Sequence, residues 1–161
     1  MATVYLGLGT NIGNKKKNIT DATIIIGSVM GEIRALSSLY ETEPWGFESP
    51  NTFLNAVIQI ETEIDPQKCL DIAKAIEREM GRVHTKEGYE DRIIDVDILF
   101  YDDIIYRSDN LTIPHPLIER RDFVLRPMAE IAPEFTHPVL GETMKKMLQK
   151  LDEKSTRSLD V

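Results

Sequence analysis

The sequence predicts an α+β fold: an antiparallel sheet with two helices packed on one of its faces. Three observations lead there. Four stretches have the period of two of a strand or the short apolar run of a buried one, and two longer stretches have helical period. Their order is strand, helix, strand, strand, helix, strand, which is the split βαβ, or ferredoxin-like, arrangement. Finally, Pro, Gly and polar residues concentrate between these stretches, so the connections separate cleanly from the elements. The 161 residues are expected to form one domain, with a core over about 2–101 and short strands and helices over about 102–151.

Taken in order, Thr3-Val-Tyr-Leu-Gly-Leu-Gly9 is short and apolar and reads as a buried strand. The loop Thr10-Asn-Ile-Gly-Asn14 can cap a helix from Lys15 to Met30, on which Ile19, Ala22, Ile26, Val29 and Met30 recur at helical spacing. Gly31 is its stop. A second strand is expected from Ile33 to about Thr42, then a long loop, Glu43-Pro-Trp-Gly-Phe-Glu-Ser-Pro-Asn51. Phe53 to Thr62 is the third strand, with Leu54, Ala56, Ile58 and Ile60 on the core side and Phe53, Asn55 and Val57 on the other. Asp65-Pro66 supplies an N-cap and a first helical position for a helix reaching about Met80, closed by Gly81. Arg82 to Asp91 is polar and aperiodic, a second long loop. The fourth strand follows, with Ile94, Val96, Ile98 and Phe100 on one side and Asp95, Asp97 and Leu99 on the other. Short strands are expected at Ile104–Tyr106 and Leu111–Ile113, a helix from about Arg121 to Ile131, and a last helix from Glu142 to Leu151 before a polar tail that frays.

A formal net charge of −8 argues against non-specific binding to nucleic acid or an anionic membrane, which needs a basic footprint. It leaves room for an anionic small ligand held by a local cluster of cations. The first residues run straight into a strand pattern, and no apolar run reaches transmembrane length, so a cytoplasmic location is expected. Cys69 is the only cysteine and lies on a stripe with Ile72, Ile76 and Met80, where packing explains it better than catalysis.

The chemistry centres on Asp95 and Asp97. On one face of a strand their carboxylates lie about 6–7 Å apart and repel each other unless something offsets them. A hard cation would do so, since oxygen ligands suit magnesium; a solvated outer face is the plainer account of the same two residues. In the expected topology the two aspartates share the uncovered sheet face with Asn55 and Phe53. Arg82, His84, Lys86 and Arg92 precede their strand, and His115, Arg120 and Arg121 follow it. Paired carboxylates amid cations suit a polyphosphate with its metal, while each arginine alone could be an exposed surface residue. His115 with the two aspartates also has the composition of an iron-binding facial triad, without its residue order. Gly7, Gly9 and Gly13 miss the dinucleotide fingerprint by one residue and read as turn glycines. His137 precedes a proline and reads as a surface-loop residue without a role.

Several motifs then fall into one order. Leu8-Gly-Thr-Asn-Ile-Gly13, Ser37-Ser-Leu-Tyr-Glu-Thr-Glu-Pro44, Phe53-Leu-Asn-Ala56, Arg92-Ile-Ile-Asp-Val-Asp-Ile98, Leu111-Thr-Ile-Pro-His-Pro116 and Arg121-Asp-Phe-Val-Leu125 span nearly the whole chain. In these the sequence resembles the 6-hydroxymethyl-7,8-dihydropterin pyrophosphokinases of folate synthesis. The resemblance implies a monomer with a ferredoxin-like core that transfers pyrophosphate from ATP to the pterin hydroxymethyl group and releases AMP. It implies two magnesium ions on Asp95 and Asp97, with ATP as co-substrate. It implies that Phe53 and Phe123 sandwich the pterin, that Asn55 meets its aminopyrimidinone edge, and that Thr42, Pro44 and Trp45 complete that edge. Arg82 and Arg92 would act on the phosphates from the loop, and His115 and Arg121 from the other side. Glu77, His84, Tyr89, Ile98 and Thr112 would line the nucleotide site. The second loop departs from the family pattern: Gly88-Tyr-Glu-Asp91 stands where many members have Trp-Gly-Pro before an arginine, and His84 and Asn110 stand where arginine is common. Glu90 and Asp91 bring two carboxylates towards a triphosphate. A non-catalytic small-ligand-binding module on the same core is the alternative reading.

Overall fold

The computed structural model describes residues 1–43, 52–81 and 93–159, the last five by backbone alone. Its main sheet is antiparallel throughout, with strand β1 (Ala2–Thr10) at its centre between β4 (Phe53–Thr62) and β5 (Asp95–Tyr101). Strands β2 (Glu32–Leu36) and β3 (Tyr40–Thr42) both pair with β4 on its far side. A two-stranded sheet of β6 (Tyr106–Arg107) and β7 (Thr112–Ile113) lies beside it. The order β2-β4-β1-β5 is that of the expected ferredoxin-like core.

Helices α1 (Lys15–Val29) and α2 (Pro66–Gly81) cover one face. Asn14 Oδ1 accepts from Lys17 N at 3.1 Å and Asp65 Oδ1 from Lys68 N at 2.8 Å, so each helix starts on a side-chain cap. Ile19, Ala22, Ile26, Cys69, Ala73 and Ile76 pack onto Val4, Leu6, Ala56, Ile58, Val96 and Ile98. Full burial of each large aliphatic side chain is worth about 1.5–3 kcal/mol, which is where most of the helices' stability comes from. Val29, expected on the buried stripe, is 50% exposed. Burial pushes the Cys69 thiol up to about 11, with Asp65 adding to the shift, so this cysteine is an inert core residue. Gly31 ends α1 for a reason other than turn geometry: a Cβ there would stand 2.3 Å from the Glu61 carbonyl oxygen.

Five expectations are corrected. The second strand is broken: Leu36 pairs with Ile58 and Tyr40 with Asn55, so Ser37–Leu39 hold one residue more than β4 does opposite them. On β5, Tyr5 pairs with Phe100 and Leu6 with Ile98, which leaves Leu99 as an extra residue and turns Phe100 to the face opposite Ile98. The second face is therefore only half open. Helices α3 (Asp122–Ile131) and α4 (Met144–Leu159) cover the rest, burying Val124, Leu125, Met128, Met144 and Met147 against Tyr5, Val57, Leu99 and Phe100. Helix α4 also runs on through the segment expected to fray, with Asp152 held by Arg126 of α3 at 2.8 Å. Among the described residues no helix is long and apolar enough to cross a membrane.

His137 is the fifth correction. It is 5% exposed, with its ring edge-on to Phe100 at 5.4 Å. Its Nδ1 accepts from the amides of Val139 at 3.2 Å and Leu140 at 3.1 Å, which leaves the proton on Nε2. Burial lowers its pKa, against a smaller upward pull from Glu119. The folded state thus binds fewer protons than the unfolded chain below the model-peptide value of 6.5, and stability falls with pH from there down through the depressed folded value. The slope can reach about 1.4 kcal/mol per pH unit. Urea unfolding at pH 7.5 and pH 5.5 is expected to show this loss in the wild type. His137→Asn, which keeps an acceptor but cannot titrate, is expected to flatten it; an equal loss in both would rule out His137 as its source.

Candidate active site

The uncovered half of the second face is a cavity of about 170 Å³, open to solvent. Strand pairing explains its floor. Asn55 of β4, Gly9 of β1 and Asp95 of β5 are register partners in one row across the sheet, and Val57, Gly7 and Asp97 form the next. Neighbouring strands lie about 4.8 Å apart, so Asn55 and Asp95 are separated by about 10 Å of backbone with no side chain between them. Gly7 and Gly9 are not turn glycines as expected; both lie inside β1, and a positive φ is found at Gly13 instead. A Cβ on Gly9 would stand 3.2 Å from Asn55 Oδ1 and 3.7 Å from the Phe53 ring. The glycines keep the floor flat and clear.

The walls come from elements on either side. Phe53 begins β4, and Phe123 lies in the first turn of α3, so both rings line the same cavity. Arg121 immediately precedes α3, with its guanidinium carbon 5.7 Å from the Phe123 ring centroid. Leu99 and Val124 close the deep end, where the cavity meets the second core. Asn55 is 6% exposed and its carboxamide is oriented: Nδ2 donates to Thr42 Oγ1 at 2.7 Å and towards the Tyr40 carbonyl at 3.5 Å. Its Oδ1 is thereby turned over Gly9. The cavity thus offers a flat slot with aromatic walls, an amide edge at one end and two carboxylates at the other.

Seven of the residues singled out in the sequence meet here: Thr42, Phe53, Asn55, Asp95, Asp97, Arg121 and Phe123. A second group lies along the outer edge of β5 instead. Glu77, on α2, accepts from Val96 N at 2.8 Å and pairs with Lys74 at 3.4 Å. Because the Val96 amide points outward, the alternation of the ladder turns the Ile98 backbone outward too. The Ile98 side chain, 2% exposed, is in the core, so only its backbone faces that edge. Thr112 is on β7, and the His115 amide donates to Leu99 O at 3.0 Å, while its Nδ1 lies 3.1 Å from Pro116 O. Pro44, Trp45, Arg82, His84, Tyr89 and Arg92 lie outside the described residues, as do Lys86, Glu90 and Asp91.

The donor set suits a hard cation. Two strand carboxylates make a partial oxygen shell, which matches magnesium, an ion that keeps several waters and takes the rest of its ligands from phosphate. Among the described residues no group of three or more His, Cys, Asp or Glu is gathered, so His115 and the aspartates do not form the facial triad considered above. The residues that sequence reasoning missed are Gly7 and Gly9. Their signal was present, since they alternate with Leu6 and Leu8 on one strand, but alternation says nothing about glycines until the neighbouring strands are known.

Known proteins resemble this chain in sequence and in fold. A sequence profile of the 7,8-dihydro-6-hydroxymethylpterin-pyrophosphokinase (HPPK) family matches residues 5–133. The chain is 46% identical over 143 residues to the 2-amino-4-hydroxy-6-hydroxymethyldihydropteridine pyrophosphokinase of Porphyromonas gingivalis, covering 86% of this chain and 95% of that one. It is 42% identical over 147 residues to the enzyme of the same name from Aquifex aeolicus, covering 90% and 89% respectively. The fold matches the crystal structure of wild-type Plasmodium falciparum HPPK-DHPS with a TM-score of 0.81 at 18% identity, over 99% of this chain and 46% of that longer one. With the profile spanning most of its length and close relatives matched almost end to end, the chain belongs to the 7,8-dihydro-6-hydroxymethylpterin-pyrophosphokinase family.

Proposed function

We propose that this pyrophosphokinase moves the terminal pyrophosphate of ATP onto the hydroxymethyl group of 6-hydroxymethyl-7,8-dihydropterin, with the pterin lying in the slot over Gly9. The observation that carries this placement is the row Asn55–Gly9–Asp95. It sets an amide-recognition edge and a carboxylate about two strand spacings apart, with nothing but backbone between them. A bicyclic ring spans that distance. Phe53 and Phe123 stack on its faces, and Asn55 Oδ1 accepts from its amino edge while the Thr42 hydroxyl, already accepting from Asn55, remains able to donate. The hydroxymethyl end then points at Asp95 and Asp97.

These two aspartates would hold two magnesium ions brought with the triphosphate. When bound, the ions supply charge neutralisation on the transferred group and the departing phosphate. The chain's own contribution is alignment. The pterin hydroxyl oxygen is held in line with the β-phosphorus; the new O–P bond forms as the bond from that phosphorus to the α-phosphate oxygen breaks, AMP leaves, and the hydroxyl proton is released. Arg121 approaches the phosphates from the α3 side, where it is fixed against the Phe123 ring. Glu77, the Ile98 backbone, Thr112 and His115 along the outer edge of β5 form the nucleotide side. By resemblance, Arg82, His84, Tyr89 and Arg92 serve the nucleotide and phosphates from the loop, and Pro44 and Trp45 the pterin. We read the chain as a cytoplasmic, monomeric single domain with no role for nucleic acid or membrane.

Incubation with ATP, magnesium and the reduced pterin alcohol is expected to yield AMP and the pterin diphosphate, separable by chromatography. Formation of ADP, or no new pterin product, would refute the reaction. Asp97→Asn is expected to lower kcat about 100-fold or more, the scale of a lost electrostatic contact to the reacting groups, with pterin binding retained. Equal turnover would remove Asp97 from the metal site.

A separate outcome tests the slot. Gly9→Val places branched carbon beside Asn55 Oδ1 and Phe53, and is expected to weaken pterin binding at least tenfold, about 1.4 kcal/mol, while ATP affinity stays within about twofold. Unchanged pterin titration by fluorescence would show that the ring does not lie over Gly9.

A further inference from the structure

The Ser37–Leu39 bulge lies outside the cavity, yet it decides which side chains of its segment enter it. Leu36 faces Ile58 and Tyr40 faces Asn55, four steps on one strand against three on the other. Without the extra residue, Leu39 would pair with Asn55 and Glu41 with Phe53. Thr42 would then lie out of register with Phe53, and Asn55 would lose the hydroxyl that orients its amide.

Two sets of bonds hold the bulge open. Ser37 N donates to Val57 O at 2.9 Å, and Ser37 Oγ accepts from Val57 N at 2.9 Å, taking the place of a ladder carbonyl. From the other side, Glu130 at the end of α3 gathers the loop. Its Oε1 accepts from Ser38 N at 2.9 Å and from the Tyr40 hydroxyl at 2.7 Å. Its Oε2 accepts from Ser38 Oγ at 2.7 Å and from Ser38 N at 3.1 Å. Desolvation works to raise the Glu130 carboxyl, but these bonds outweigh it and leave its pKa below the ordinary value, as expected of a fully engaged carboxylate. Arg126, one turn earlier on α3, is tied to Asp152 of α4 at 2.8 Å.

We propose that Glu130 is a positioning residue for pterin recognition: it clamps α3, whose first turn carries Phe123, to the bulge that sets Thr42 and Asn55. This rests on the pyrophosphokinase reading above. The clamp ties the two sides of the slot together, with one aromatic wall on α3 and the amide edge on β3 and β4. It touches neither the aspartates nor the outer edge of β5. Arg121, which precedes α3, is held separately by its amide bond to Ile118 O at 3.1 Å, so the loss of the clamp falls on the pterin side.

The test is steady-state kinetics on Glu130→Ala, Glu130→Gln and Tyr40→Phe with both substrates varied, beside thermal melts. Glu130→Ala is expected to raise the pterin KM about tenfold with kcat and the ATP KM within about twofold. Glu130→Gln keeps one acceptor oxygen and is expected to recover part of that loss. Tyr40→Phe should raise the pterin KM by a smaller factor and add nothing on top of Glu130→Ala, because both act through one bond. A pterin KM unchanged in Glu130→Ala, or a parallel rise in both KM values, overturns the proposal. Should that variant not fold, an unchanged pterin KM in both Glu130→Gln and Tyr40→Phe overturns it equally. Failure of the underlying reaction is seen separately, as absence of pterin diphosphate from the wild-type protein.

Discussion

Side-chain alternation along a strand is the constraint on which the rest of this molecule depends. Each strand of the main sheet must serve two faces, and the two faces want different chemistry. One is a continuous apolar floor for α1 and α2. The other is divided between a second apolar core under α3 and α4 and a polar slot. A strict period of two could satisfy the first face but not that division. Two of the sheet's bulges, at Leu99 and at Ser37–Leu39, solve the problem; a third register shift lies within β2 between Ile33 and Ala35. On β5 the extra Leu99 lets Asp95 and Asp97 face the slot while Leu99 and Phe100 both enter the second core. Beside β4 the extra residue at Ser37–Leu39 lets β2 keep its pairing while β3 turns Thr42 towards Asn55.

The same division settles the electrostatics. In a chain of net charge −8, two carboxylates on a half-enclosed floor make a poor resting arrangement. No hydrophobic packing accounts for them, since the apolar demand on β5 is met by Val96, Ile98, Leu99 and Phe100. The proposed function accounts for them by a cation delivered with its own anion. The protein would then supply only part of the coordination shell and spend no core volume on a cage. Arg121, held against Phe123 at the opposite wall, would give that anion its counter-charge from the other side.

Much of this was legible in the sequence, for reasons that also explain the rest. The core faces of β4 and α2 came through because Leu54, Ala56, Ile58, Ile60 and Cys69, Ile76 keep their period without interruption. The pairing of Asp95 with Asp97, and their company with Asn55 and Phe53, followed from strand order alone. The bulges were not legible, because a bulge is a relation between two strands and leaves no mark in either one. Phe100 was assigned to the wrong face on that account, and β3 was merged with β2. His137 was read as a surface residue because it precedes a proline; its burial comes from Phe100, distant in the chain and reachable only after the Leu99 bulge turns that ring. The covering of half the second face by α3 and α4 was equally hidden, since an amphipathic helix announces that it packs but not on what.

The two sides of the site differ in how they are built, and this bears on how two substrates are told apart. The slot proposed for the pterin is made of adjacent strands in register, closed by a helix whose far end is bonded back to the same strands through Glu130. Its geometry is set by ladder hydrogen bonds and a packed core, so recognition of a flat, rigid ring costs little rearrangement. The outer edge of β5 is different: there Glu77 takes the Val96 amide, and the Ile98 backbone groups face outward beyond the last strand. Outward-facing strand-edge groups can recognise a ligand that presents matching donors and acceptors in the plane of the sheet, which is where the nucleotide is proposed to lie. In the proposed function one ligand lies on the face of the sheet and the other at its edge, and both meet the same strand. Asp95 and Asp97, on the slot face of that strand, stand where the two readings meet.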